Sequence, residues 1–315
     1  MSVVLYFSKV NLNSDHIFYV YNEKNQLTHI LKRLYESINE EVEYVREDLR
    51  AAEGGKLFRY SATYRFKDIE KLEGDFGQSI VGRIIKEAPL FFNRMDSGTG
   101  QLNKEHVDNA EIIDFYFDVH KEIVAFHTTN RFGHQEFNQA FGELLSMSMT
   151  TPEEVYYFDV SLYKEGLSVS DLKQQLKSIG NLESLRIDII PPNPDDELLD
   201  KIEKNGEKYL NEIKAGNVTS TSILFNSKSS NGLNLEAEII EEQLQKIGNI
   251  HSELTSEEAI QNGYVQVEAT STDGRSYTTN NNKPVKVKLD QKPSDIILYA
   301  RACKAKVATL LRSLL

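Results

Sequence analysis

DFYFDVHKEIVAFHTT, residues 114–129, decides the fold class. Aromatic and β-branched residues dominate it, and His120 and Lys121 interrupt them at its centre, so it reads as two short antiparallel strands around a tight turn. Folding at that turn pairs Phe117 with Val124 and Phe115 with Phe126 on one apolar face. The other face then carries Asp118 opposite Ile123, Tyr116 opposite Ala125 and Asp114 opposite His127. An apolar face of this kind needs a covering layer, and the residues that follow supply one: Phe137, Phe141, Leu144 and Leu145 recur at helical spacing.

Towards the N-terminus, MSVVLYFSKVNLNS (1–14) reads as a first strand. Its apolar run is short and holds a lysine, which fits neither a signal peptide nor a membrane span. Leu27, Ile30, Leu31, Leu34, Ile38, Val42, Val45 and Leu49 form one apolar stripe, predicting a long amphipathic helix with Glu40, Glu41, Glu43, Glu47 and Asp48 outside and Gly54 and Gly55 at its end. LFRYSATYRF (57–66) predicts a strand. The Gly-, Asn- and Asp-rich stretch 72–109 predicts loops, with a short helix over 80–85.

Towards the C-terminus, VYYFDVSLY (155–163), LESLRIDII (182–190) and STSILF (220–225) read as strands, and SVSDLKQQLKSIG (168–180) as a helix with Ser170 as its N-cap. A further helix starts in PPNPDD, with Asn193 as cap, Pro194 in the first turn and Asp195, Asp196 and Glu197 at the positive end of its dipole; Gly216 ends it. Glutamate-crowded helices follow, carrying Glu236, Glu238, Glu241, Glu242, Glu253, Glu257 and Glu258. YVQVEATSTDGRSYTT (264–279) is a hairpin turning at Asp273 and Gly274, and KPVKVKL (283–289) a strand with Lys286 and Lys288 on one side. The last helix begins at Ser294 and repeats Ile296, Ala300, Cys303, Val307, Leu310 and Leu314, a seam for its own domain or for a dimer. The whole is α+β: mixed or antiparallel sheets with hairpins packed against amphipathic helices. The domains are read as 1–109, 110–260 and a basic hairpin with its helix at 261–315, packed on the central domain.

A chain of 315 residues with 40% hydrophobic and 27% charged residues is long and apolar enough to bury a core without disulfides or metals. One cysteine, Cys303, excludes an intramolecular disulfide and any zinc site with two thiolates, and fits a reducing, cytoplasmic setting. GDFGQSIVGR (74–83) and DSGTGQ (96–101) lack the spacing of nucleotide-binding loops. A restriction-type nuclease needs an acid two residues before a lysine on a strand. Two such pairs, Asp171 with Lys173 and Glu212 with Lys214, fall in predicted helices. His120, His127 and His134 are spaced by seven, but a hairpin separates the first two. No cofactor or metal is called for. The catalytic candidates are Asp114 and His127, as a carboxylate-oriented general base beside Thr128 and Thr129; the plainer alternative is a cross-strand polar pair on an exposed face.

Charge is the strongest functional signal. From Arg275 onward nine cations (Arg275, Lys283, Lys286, Lys288, Lys292, Arg301, Lys304, Lys306, Arg312) stand against Asp290 and Asp295, a local balance of +7; the chain carries -12, so the remainder carries -19. Arg275, Lys283, Lys286, Lys288, Arg301 and Lys304 are the expected nucleic-acid-binding residues, with Tyr277 placed to stack on a base. The alternative is that these cations face the glutamate-rich helices.

LRIDIIPPNPDD (185–196) and NGYVQVEATSTDGRSYTTNNNKPV (262–285) resemble stretches of an uncharacterised bacterial family of unknown function found around mobile elements and phage-defence loci, over about residues 110 to 290. A weaker likeness, carried by YARACKAKVATLLRSL (299–314), is to the phage exclusion protein RexA and the Kiwa defence protein KwaB. That likeness implies a dimeric DNA-binding sensor or effector of defence without a catalytic site. The expected partners are nucleic acid, DNA ahead of RNA, a second copy of the chain, and a partner defence protein, with no membrane insertion. Two other functions stand beside this one: an acidic subunit that regulates a partner effector, and a hydrolase or nuclease using Asp114 and His127.

Overall fold

The computed structural model describes residues 2–21, 25–51, 57–95, 98, 100, 102–191, 212–247 and 255–314. Its strands are β1 (Val3–Leu12), β2 (Glu43–Ala51), β3 (Leu57–Leu72), β4 (Ser79–Met95), β5 (Leu102–Asp118), β6 (Ile123–Phe126), β7 (Phe158–Leu162), β8 (Leu182–Ile189), β9 (Thr221–Asn226), β10 (Val265–Ser271), β11 (Ser276–Thr278) and β12 (Lys286–Leu289). The helices are α1 (Ile17–Val20), α2 (Asn25–Ser37), α3 (His134–Met149), α4 (Val169–Ser178), α5 (Glu238–Ile247), α6 (Ser256–Gln261) and α7 (Ile296–Leu314). The fold is α+β, in two compact units that alternate along the chain: Met1–Leu5 with Arg33–Glu154 and Lys288–Leu315, and Tyr6–Lys32 with Val155–Val287.

In the first unit β2 to β6 form an antiparallel meander. The hairpin at 114–129 has the register read from its sequence: Phe115 pairs with Phe126, Phe117 with Val124, Tyr116 with Ala125 and Asp118 with Ile123. On its apolar face lies α3, where the Phe141 ring stands 5.2 Å from Phe115, 5.4 Å from Phe117, 5.8 Å from Phe66 and 5.5 Å from Phe137. Edge-to-face and offset contacts of this kind add to plain burial. α7 packs on β4, β5 and β6. Ala300, Cys303, Val307 and Leu310 are buried, so the seam read from the sequence is used inside the chain.

The long helix predicted through Leu49 stops at Ser37. Asn39 accepts the Glu41 N–H, Glu40 turns back onto Lys67 and the Ile69 N–H, and Glu43–Ala51 forms β2 against β3. Residues 44–49 fit two periods at once: Val45 and Leu49 continue a helical stripe, but Tyr44, Arg46 and Asp48 also alternate with them. The β3 ladder selects the second period and leaves Val45 and Leu49 47% and 71% exposed. The loops predicted over 72–109 are instead β4 and β5, paired from Ser79 with Asp118 to Met95 with Leu102. The outer half of this hairpin is solvated, so its polar composition resembles a loop.

β3 contains an irregularity between Lys67 and Glu70, where Asp68 has φ 51°. Gly82 faces it across the ladder, and a Cβ there would sit 2.5 Å from the Ile69 Cδ1. This kink sets the position of Asp68 beside Arg83.

In the second unit β11, β10, β8 and β9 form an antiparallel sheet in that order, and β1 pairs with β7. Leu172 and Leu176 of α4, Leu185 and Ile187 of β8, Ile240 and Leu244 of α5 and Val267 of β10 share its core. Gly274, at φ 85°, makes the Asp-Gly turn. Asn193, Pro194, Asp195, Asp196, Glu197, Glu253 and the Gly54–Gly55 stop lie outside the described residues. The cap of α4 is Ser168, not Ser170: its side chain accepts the Asp171 N–H at 3.0 Å. Two serines two apart satisfy the same motif, and only the one in extended backbone can reach the free amide. Ser168→Ala should therefore lower stability by about 1 kcal/mol, and Ser170→Ala by less than half of that, measured as shifts in the urea midpoint.

Candidate functional site

Asp114 and His127 meet, but not on an exposed face. Both are buried, at 9% and 7% exposure, on the side of the meander that α7 covers. The Arg83 Nε donates to Asp114 Oδ1 at 3.1 Å, and its terminal nitrogen reaches Asp68 Oδ2 at 2.5 Å. Lys292, from the segment before α7, pairs with Asp114 Oδ2. Tyr299 of α7 donates its hydroxyl to the Asp114 carbonyl oxygen at 3.1 Å. The His127 Nε2 takes the Asp114 backbone N–H at 3.2 Å and the Lys292 ammonium at 3.1 Å. It also lies 3.6 Å from Asp114 Oδ2, but an acceptor of two donors has no proton to give there.

The geometry limits the chemistry. Burial by itself would push the Asp114 carboxyl up; the Lys292 ammonium against it, through its hydrogen bond and its charge, outweighs that and holds the group well below the usual carboxylate range. The Nε2 lone pair, which a general base needs, is already occupied. Thr129, the nearby hydroxyl, donates to Glu111 at 2.7 Å. Cys303 is fully buried, and burial pushes its thiol up to about 12, away from the thiolate a nucleophile requires. Among the described residues no group of three or more His, Cys, Asp and Glu is placed to hold a metal ion. No helix among them is long and apolar enough to cross a membrane.

The six cations chosen from the sequence are divided between the units. Arg275 pairs with Asp273 at 2.8 Å and Lys283 with Glu165 at 2.7 Å, so each already has a carboxylate. Tyr277 donates its hydroxyl to Asn282 at 3.2 Å and its ring packs on the core of the second unit. Lys286 and Lys288 lie on the exposed side of β12, opposite half-buried Val287 and buried Leu289. Arg301 is exposed on α7, and the Lys304 ammonium sits 5.4 Å from the centre of the Phe76 ring.

The first unit also contains two concave places that no motif announced. The larger, of about 890 Å³, opens above the N-terminus of α3. Its floor is internally satisfied: Tyr64 donates to Glu136 at 2.5 Å, and buried Lys86 donates to Glu136 at 2.8 Å and to the Arg131 carbonyl at 2.7 Å, over the Phe132 ring. The smaller, of about 330 Å³, lies between the turn after β3, the β5–β6 turn and α7, and is lined by Phe76, Gln78, Asp118, His120, Lys121 and Lys304 among others. Burial pushes the Asp118 carboxyl up against the lowering influence of the Lys121 N–H and the charges of Lys121, His120 and Lys304. His120 and Lys121 were visible in the sequence only as turn residues; that the turn of an otherwise apolar hairpin ends in two cations was the available signal.

The Asp114 contacts link stability to pH. A carboxyl held low in the folded state contributes stability that is present above its unfolded value, about 4, and is lost as pH falls below that. Asp114→Asn should cost about 3 kcal/mol at pH 7 by leaving Lys292 and Arg83 short of their partner. In urea titrations at stepped pH, the gap to the unsubstituted protein should narrow below pH 4.

No curated protein and no solved structure matches the chain. A family model does, across residues 16–306, well beyond the stretch over which the resemblance was read. Its description is "Domain of unknown function (DUF4747)", and the chain belongs to that family.

Proposed function

We propose that the chain is a nucleic-acid-binding component of bacterial defence against phage, working without a catalytic site of its own. The observation that carries the binding part is the solvent side of α7. Arg301, Lys304 and Arg312 follow one another at steps of three and eight, with Ala305 and Ala308 between them, and the helix contains no acid. Cations spaced by small residues let a helix approach a phosphate backbone closely, and eleven residues of helix extend about 16 Å. Lys288, also exposed and in the same unit as α7, is a further cation for the same ligand. The part concerning defence rests on the resemblances at 185–196, 262–285 and 299–314.

A second function, an acidic subunit that regulates a partner effector, is the natural fallback for a chain of net charge -12. The Asp114 and His127 pair supports no enzymatic reading, because its donors and acceptors are used within the fold.

Fluorescence anisotropy with single- and double-stranded DNA and RNA at two salt concentrations separates the two. The Arg301→Glu/Lys304→Glu variant should bind at least about tenfold more weakly. Its salt dependence should fall by roughly two in slope, about 0.9 per lost phosphate contact. Arg275→Glu and Lys283→Glu, whose cations are already paired, should change affinity little. Absence of binding, or binding indifferent to salt, would retire nucleic acid in favour of a protein partner.

A further inference from the structure

β2 is the last strand of its sheet: among the described residues no strand lies beyond it, so a row of its backbone groups from Glu43 to Ala51 faces outward. Edge strands that must stay single usually contain proline, a bulge or repeated lysine. β2 has none of these. Its nine residues, EYVREDLRA, run in unbroken register with β3, from Glu43 with Arg65 to Ala51 with Leu57. On the sheet face away from α3, exposed Val45 and Leu49 flank Glu47. On the α3 face, Arg46 donates to Gln139 at 3.2 Å and pairs with Asp48 at 3.1 Å.

These residue types are arranged symmetrically about Glu47. A second copy of β2 laid antiparallel along the edge, with a two-fold axis at Glu47, sets Val45 opposite Leu49 and Arg46 opposite Asp48 on both sides of the axis. Side chains directly opposite one another are about 5 Å apart, within reach of an ion pair. Moving the axis to Arg46 sets Arg46 against its own copy and Val45 against Glu47; moving it to Asp48 sets Asp48 against its own copy and Leu49 against Glu47. Of these three registers, the one centred on Glu47 is complementary in both charge and polarity. Glu47 then meets its own copy, where the Arg59 guanidinium, 3.5 Å from its carboxylate, offsets the repulsion. We propose that β2 pairs with β2 of a second copy in this register, continuing the sheet across a two-fold axis at Glu47. The contact is one strand about 30 Å long with Val45 and Leu49 of each copy as its apolar part. That is less than an obligate dimer buries, so the dimer dissociates on dilution. It needs no nucleic acid and does not depend on the α7 surface.

Sedimentation velocity of the full chain over a wide range of concentration should show monomer passing into dimer. Arg46→Asp and Asp48→Arg each place two like-charge pairs across the axis, and each should weaken self-association at least about tenfold. Leu49→Asp, at an exposed position, should weaken it as well; a thermal melt by circular dichroism confirms that each variant folds. The Arg46→Asp and Asp48→Arg chains, mixed in equal amounts, should associate with each other about as tightly as the unsubstituted chain does with itself, because each presents the charge that the other requires. Monomer at every concentration overturns the proposal. A dimer unmoved by all three substitutions overturns it too, since the contact then lies elsewhere. Single variants that stay monomeric when mixed also overturn it, because their loss then owes nothing to a pairing of Arg46 with Asp48 between copies.

Discussion

A single buried carboxylate fixes where α7 lies on the sheet of the first unit. Asp114 gathers Arg83 from β4, His127 from beyond β6 and Lys292 from the approach to α7, while its carbonyl takes the Tyr299 hydroxyl from α7 itself. These groups come from four stretches of chain, and each would be costly to bury alone. Burying charge gives little net stability compared with a well-packed apolar substitute. What it contributes here is position: α7 can shift along the sheet only by breaking Tyr299 from Asp114 and Lys292 from its carboxylate. The cations on the opposite side of the same helix are thereby held in a fixed register above the β5–β6 turn.

The hairpin at 114–129 was legible to the residue because its two faces differ sharply and its turn is short, so only one register buries four large side chains. α3 followed from it. The failures share one cause. Residues 44–49 and 79–95 are strands whose outward faces are solvated, and where burial does not separate the faces, composition ceases to report the period. Val45 and Leu49 misled because they are apolar without being buried. The same logic explains Ser168 and Ser170, where residue type is shared and only the backbone angle of the first makes a cap.

The basic end of the chain shows why a local charge count is a weak guide to a surface. Three of the nine cations after residue 274 are neutralised by carboxylates: Arg275 by a neighbour two residues away, Lys283 by Glu165 and Lys292 by Asp114. The last two partners are more than a hundred residues distant, beyond any window of composition. Conversely, His120 and Lys121 belong to a stretch with no notable charge, yet they stand beside Lys304 at the small pocket. Pairing removes charge from the sequence's cluster, and folding brings Lys121, His120 and Lys304 around Asp118 from stretches far apart in the sequence.

Net charge then bears on how such a surface would work. At physiological ionic strength charges are screened over about 8 Å, so a polyanion at α7 is drawn by the nearby cations but, farther out, meets a chain carrying -12 overall. Long-range attraction is therefore weak, and sequence-independent binding along a duplex, which depends on many simultaneous phosphate contacts, has little to sustain it. A ligand held by a few contacts needs one of them to be strong and directional. The acidity of the chain thus argues against indiscriminate binding to nucleic acid and leaves any attraction to the short range of the α7 cations.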